Sequence, residues 1–162
     1  MTSDPGSPDR HSSDDLKVVL RRVFESQIPN YGDYNLVGAT PGGGGARSYY
    51  VVGYRWNPAE LVFAPFDPAA LTGLEPPTAV NSTNLSHAEE VAGGDFEVGT
   101  NAGRVFRFSV LATAPLPVGG PGSVRTLDGR AVDGRPIHGR ALEQEADLAD
   151  FHSFLDHFLT LA

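Results

Sequence analysis

The residues best suited to chemistry in this 162-residue chain are four arginines, one cluster of aromatics and a few histidine–carboxylate pairs. Arg125, Arg130, Arg135 and Arg140 recur every five residues, in the pattern Arg-x-aliphatic-(Asp/His)-Gly. Asp-Gly pairs favour tight turns, because glycine takes positive φ at little cost. The segment therefore reads first as consecutive turns with their arginines in water. Its alternative is a site for an anion or an acidic partner, since guanidinium forks match carboxylate and phosphate geometry.

The aromatic cluster is the second candidate. All five tyrosines (Tyr31, Tyr34, Tyr49, Tyr50 and Tyr54) and the single tryptophan, Trp56, fall between positions 31 and 56. On a strand, Tyr50, Tyr54 and Trp56 share one face and Tyr49 takes the other. Ordinary sheet packing with hydroxyls at the rim accounts for them. So does a binding face, because tyrosine and tryptophan dominate interaction hot spots.

The remaining signals are weaker. His87-Ala88-Glu89 has the His-x-Glu spacing of zinc deaminases, but that chemistry needs a downstream cysteine pair and the chain has no cysteine. His152 and Asp156, four apart on a helix, can share a face, yet two ligands do not hold a metal. The run Gly42–Gly45 is followed by Ala-Arg-Ser rather than the Gly-Lys-Ser/Thr of a phosphate loop, and reads as a hairpin connection. No Gly-x-Ser-x-Gly elbow occurs. Accordingly no catalytic residue, metal ligand or cofactor is assigned.

Composition narrows the function classes further. The net charge is −8 and the pI about 4.9, which argues against nucleic acid, whose binding depends on displacing counterions with Lys and Arg. The absence of cysteine excludes disulfides and thiolate metal sites and suits a reducing compartment. No apolar run reaches membrane-spanning length, and the Ser/Pro/Asp-rich start has no apolar core of a secretory signal. The expectation is a cytoplasmic protein.

The elements that must position these residues follow from periodicity. Residues 1–12 read as a disordered tail and 13–162 as one α+β domain. Ser13 would cap a first helix with Leu16, Val19, Leu20 and Val23 on one stripe. Strands are expected at 35–40, 48–56, 61–66, 78–83, 96–100 and 104–113, with a helical turn at 84–90 and a Pro/Gly loop at 115–122. Pro65 should place its strand at an edge or on a bulge. The strongest amphipathic segment is 143–161, with Leu148, Phe151, Leu155, Phe158 and Leu159 on one side and Phe154 at the border. The fold expected is α+β: an N-terminal helix, a bent antiparallel sheet or partial barrel of five to seven short strands, and a long amphipathic C-terminal helix packed on it.

The segments YYVVGYRWNPAELVFAPF and DFEVGTNAGRVFRFSV resemble the hairpins of a pleckstrin-homology-like barrel, from which the N-terminal helix departs. The resemblance implies a barrel closed by the last helix. It implies no function, because fold alone does not carry one.

The function expected is a non-enzymatic binding or accessory role through protein–protein contact, with a protein partner or a second copy of the chain favoured over a small molecule. The candidate binding residues are Tyr50, Tyr54, Trp56, Arg125, Arg130, Arg135 and Arg140. One alternative is a small-ligand carrier or sensor, with a pocket between sheet and last helix lined by Phe106, Phe108, Phe151 and Leu155. Another is an enzyme whose site is gathered from loops.

Overall fold

The computed structural model describes residues 8–28, 34–42, 47–92, 94–117 and 140–161. Helix α1 spans Pro8–Glu25. It is followed by β1 (Asn35–Pro41), β2 (Tyr49–Trp56), β3 (Ala59–Asp67), β4 (Thr72–Gly73), β5 (Thr78–Asn81), β6 (Leu85–Ala92), β7 (Asp95–Thr100), β8 (Val105–Ser109), β9 (Thr113–Leu116), β10 (Arg140–Glu143) and helix α2 (Glu145–Leu159). The fold is α+β, as the alternating and helical periods predict. No helix among the described residues is long and apolar enough to cross a membrane.

Eight strands form one antiparallel sheet in the order β4-β3-β2-β1-β8-β7-β6, with β5 also lying on β3. The sheet bends because β1 changes partner along its length. Asn35 to Ala39 pair with β2, whereas Thr40 and Pro41 pair with β8. Two wings result, β1 to β5 and β6 to β8. The wings do not close into the barrel that the hairpins suggested. β5 pairs with β3 and β6 with β7, and the Asn81–Asn84 turn joins β5 to β6 without pairing them.

Helix α2 packs against the inner faces of both wings. Phe151, Phe154, Leu155 and Phe158 meet Tyr50, Val52, Tyr54 and Phe63 of the first wing and Phe96, Val98, Phe106 and Phe108 of the second. Phe154, placed by its spacing at the border of the stripe, has no exposed surface. The outer face of the first wing carries a second core, in which Val51, Val62, Ala64 and Phe66 pack on Leu16, Leu20, Val23 and Phe24 of α1 and on the β9–β10 ribbon. A strand buried on both faces has no polar side to show. That is why β2 and β3 read as nearly unbroken apolar runs.

Four expectations are corrected. α1 opens at Pro8, ahead of the Ser13 cap, with proline in the first turn where its missing N–H costs nothing. Residues 84–90 are not a helical turn but most of β6; Asn81 and Asn84 close the β5–β6 turn with side-chain bonds to backbone amides, and the capping-box spacing of Ser86 and Glu89 is incidental. The strand expected over 104–113 breaks after Ser109, and β9 includes Pro115 and Leu116 where a loop was expected. β3 is internal despite Pro65. The carbonyl of Pro65 accepts from Leu74 N–H (3.0 Å), so its nitrogen also faces away from β2, at the point where the outer pairing passes from β5 to β4.

Gly53 shows how tightly α1 sits on the sheet. A Cβ there would lie 2.6 and 2.7 Å from the ring atoms Cζ and Cε2 of Phe24, which is wholly buried. Gly53→Ala is expected to destabilise the fold by about 1–3 kcal/mol through overpacking, and Phe24→Leu in the same chain to recover part of the loss. Urea unfolding of the two single variants and the double variant checks this.

Candidate functional site

The pairing of β1 leaves part of one edge without a strand. Pairing with β8 covers Thr40 and Pro41, so the same side of β1 at Leu36 and Gly38 meets no strand among the described residues. At Gly38 a side chain takes the strand's place. The Gln144 amide accepts from Gly38 N–H (2.9 Å) and donates to Gly38 C=O (2.8 Å) and to Leu111 C=O (2.9 Å). Gln144 is buried and is the residue before α2, so this amide ties the start of the helix to the sheet edge. A Cβ at position 38 would come within 2.4 Å of Leu142 Cδ2, so any residue but glycine there would have to displace the buried Leu142 side chain.

Beside this edge lies a cleft of about 650 Å³ between α1 and the first turns of α2. Leu36 and Gly38 line it from β1, and Tyr54 and Trp56 from β2. Lys17 and Val18 of α1 form one wall; Asp147 and Asp150, three apart and so on one helix face, form the other. Lys17 Nζ and Asp147 Oδ2 meet at 3.6 Å, both about half exposed, an ion pair of small energetic worth.

Tyr54 is the buried group of the cleft. Its ring packs on Phe151 and Phe154 with centroids 5.2 and 5.1 Å away, and its hydroxyl donates to Asp150 Oδ2 at 2.7 Å. Burial pushes the phenol well above its ordinary pKa, with the Asp150 hydrogen bond and the Asp150 and Asp147 charges adding to it. The hydroxyl is therefore a fixed neutral donor. Trp56 is 41% exposed at the rim, with its ring against Phe154 (5.4 Å, edge to face) and His157 (6.0 Å, stacked).

Of the residues singled out from sequence, Tyr54 and Trp56 come together in this cleft. Tyr50 does not. It is buried beneath α2, edge-on to Phe63 and Phe106. Arg125, Arg130 and Arg135 lie outside the described residues, and Arg140 opens β10 opposite Leu116. Phe106, Phe108, Phe151 and Leu155, expected to line a pocket, are buried together in the core beneath α2, where Phe63 and Phe106 stack at 4.2 Å, and none of the four lines the cleft. Sequence reading missed Lys17, Leu36, Gly38, Gln144 and Asp150. No local signal marks Gln144, whose partner Gly38 is 106 residues away.

His87 and His152 lie away from the cleft. His87 lies over Gly99 and bonds Glu97 Oε2 at 2.9 Å on the outer face of the second wing, while Arg107 Nε donates to Glu97 Oε1 at 2.6 Å. The His87 bond first, and the Arg107 bond second, lower the Glu97 pKa. His152 packs near Phe96 with rings 6.2 Å apart. Among the described residues no group of three or more His, Asp or Glu side chains is placed to hold a metal ion. No protein-family model, curated protein or solved structure matches this chain.

Two outcomes follow from this geometry. Gln144→Leu would leave the buried amide and carbonyl of Gly38 unpaired and is expected to cost about 1–3 kcal/mol for each unsatisfied group. Faster hydrogen exchange at the Gly38 amide is the site-specific readout. Tyr54 is expected to ionise well above the ordinary tyrosine value in an alkaline titration followed by tyrosinate absorbance. A raised phenol pKa means its contribution to stability is complete below the unfolded value of about 10 and is lost as pH climbs through the folded value. Asp150→Asn should lower the Tyr54 pKa without restoring the ordinary one, because burial, the larger cause, remains.

Proposed function

We propose that this chain is a non-enzymatic binding protein of the cytoplasm that acts through protein–protein contact, and that the cleft between α1 and α2 is where its partner docks. The observation that carries the reading is the exposure of Trp56. The one tryptophan in the chain stands at the rim of a concave site, held in orientation by Phe154 and His157. A large aromatic pre-ordered beside a cleft supplies contact area at little entropic cost. Val18, 49% exposed on the opposite wall, adds apolar surface.

The polar groups suit recognition. A phenol kept protonated is a weak base and a weak nucleophile at neutral pH. Its one O–H is committed to Asp150 Oδ2, so what it supplies is a carboxylate held in a fixed orientation on the cleft wall.

A second reading is a small-ligand carrier, favoured by one feature. The cleft volume of about 650 Å³ is that of small-molecule sites, although the residues lining it differ from those expected.

Native mass spectrometry of the chain purified from its own cells separates these readings. Under the first, a protein partner co-purifies with the native chain and is lost with Trp56→Ala, while the variant stays folded. Retention of that partner by the variant would exclude the cleft as the docking site. An added mass below about 1 kDa that leaves on unfolding would establish the carrier instead, since drug-sized ligands are what such clefts enclose.

A further inference from the structure

The reading of the cleft as a partner site can be taken further, to the chemistry of what enters. We propose that the occupant is a basic peptide segment in extended conformation: its backbone pairs with the free edge of β1 at Leu36, and its Lys or Arg side chain lies between Trp56 and Asp150. The inference rests on that reading and on two independent observations.

The first is the hydrogen-bonding parity of β1. In an antiparallel ladder, alternate residues point their N–H and C=O to the same side. Gly42 N–H donates to Arg107 C=O (3.5 Å), and Thr40 stands opposite Ser109, so the even-numbered residues face away from β2. Gly38 agrees, since Gln144 takes both of its groups. Leu36 is next on that side, about 7 Å further along the strand. It lines the cleft, and no strand or side chain among the described residues bonds its outward pair. Gln144 shows what fits such an edge: one amide offering an acceptor and a donor in the plane of the sheet. A peptide group from another chain offers the same pair, which is the basis of strand addition.

The second observation is charge. Three carboxylates among the described residues show the contrast: Glu60 and Glu97 are each held by several side chains, and Asp150 by one. Glu60 accepts from Tyr34 Oη and Asn81 Nδ2 and pairs with Arg55 at 3.1 Å. Glu97 is shared by His87 and Arg107. Asp150 accepts one bond, at Oδ2 from a neutral phenol, and meets no cation among the described residues. Across the cleft, Lys17 is matched by Asp147 and Arg21 by Glu25. Among the described residues of the cleft, the charge without an opposite partner is therefore the Asp150 carboxylate, on the same cleft as an exposed indole whose ring attracts cations. A chain of net charge −8 reinforces attraction of a basic segment.

The test uses two blocked tripeptides, acetyl-Ala-Lys-Ala-methylamide and acetyl-Ala-Glu-Ala-methylamide, titrated into the full isotope-labelled chain and followed by NMR. The lysine peptide is expected to shift the Trp56 indole N–H and the Leu36 amide together, and to slow exchange of the Leu36 amide. The glutamate peptide should bind about tenfold more weakly or worse, and Asp150→Asn should weaken the lysine peptide by a similar factor, as expected for one charge-assisted contact. Equal binding of the two peptides would overturn the charge argument. An indole shift with no change at Leu36 would overturn strand addition. Absence of any shift in the cleft with either peptide would overturn the whole inference. The docking reading would survive each of these results if Trp56→Ala still released the co-purified partner, so the two failures are distinguishable.

Discussion

Gln144 holds a strand's place with a side chain. Its amide saturates Gly38 at the point where β1 has left β8 behind, and a third bond reaches Leu111 in the bend that follows β8. The peptide N–H of Gln144 is bonded in turn to Ala112 C=O (2.8 Å), so one residue pins the sheet edge, the bend before β9 and the first turn of α2. Were β8 to continue along β1, the edge would be paired and no cleft would exist. Were the edge left bare at Gly38, a buried N–H and C=O would be unsatisfied, at a cost comparable to that of losing a core side chain.

The same constraint orders the layers. A sheet bent at β1 has one concave side, and α2 occupies it with four large apolar side chains. The convex side of the first wing is then covered by α1 and the β9–β10 ribbon. With both faces used, the aromatics of β2 are divided by their parity. Tyr50 and Tyr54 go under α2, Tyr49 goes to the α1 side, and Trp56, the last residue of the strand, packs one side of its ring on Phe154 and His157 and leaves 41% of its surface in solvent. A cluster that looks uniform along the chain thus separates into core, floor and rim.

Polar saturation divides in the same way. The carboxylates that hold hairpins together, Glu60 and Glu97, are each gripped by two or more donors. Asp150, on the cleft wall, is held by one neutral donor, and the ring of that donor lies in the core. Among the described residues, Glu60 and Glu97 are closed by their partners, whereas Asp150 and the outward backbone pair of Leu36 keep capacity on the cleft.

Much of the fold was legible in the residues. The stripes of α1 and α2, the hairpin alternation from Phe106 to Phe108 and the opposite facing of Tyr49 and Tyr50 come from periods of 3.6 and 2, which are local properties of the backbone. What only the tertiary structure decided was the choice among local options and the meeting of distant ones. Residues 85–90 carry a helix-cap spacing yet pair with β7, because a strand on an existing ladder satisfies more backbone groups than one helical turn. Pro65 is tolerated inside the sheet because its nitrogen faces a gap between two partner strands. Tyr54 and Trp56 were visible as a pair, but Lys17, Leu36, Gln144 and Asp150 were not. They reach the cleft from α1, β1, the start of α2 and α2 itself, and spacing along a chain carries no information about contacts a hundred residues apart.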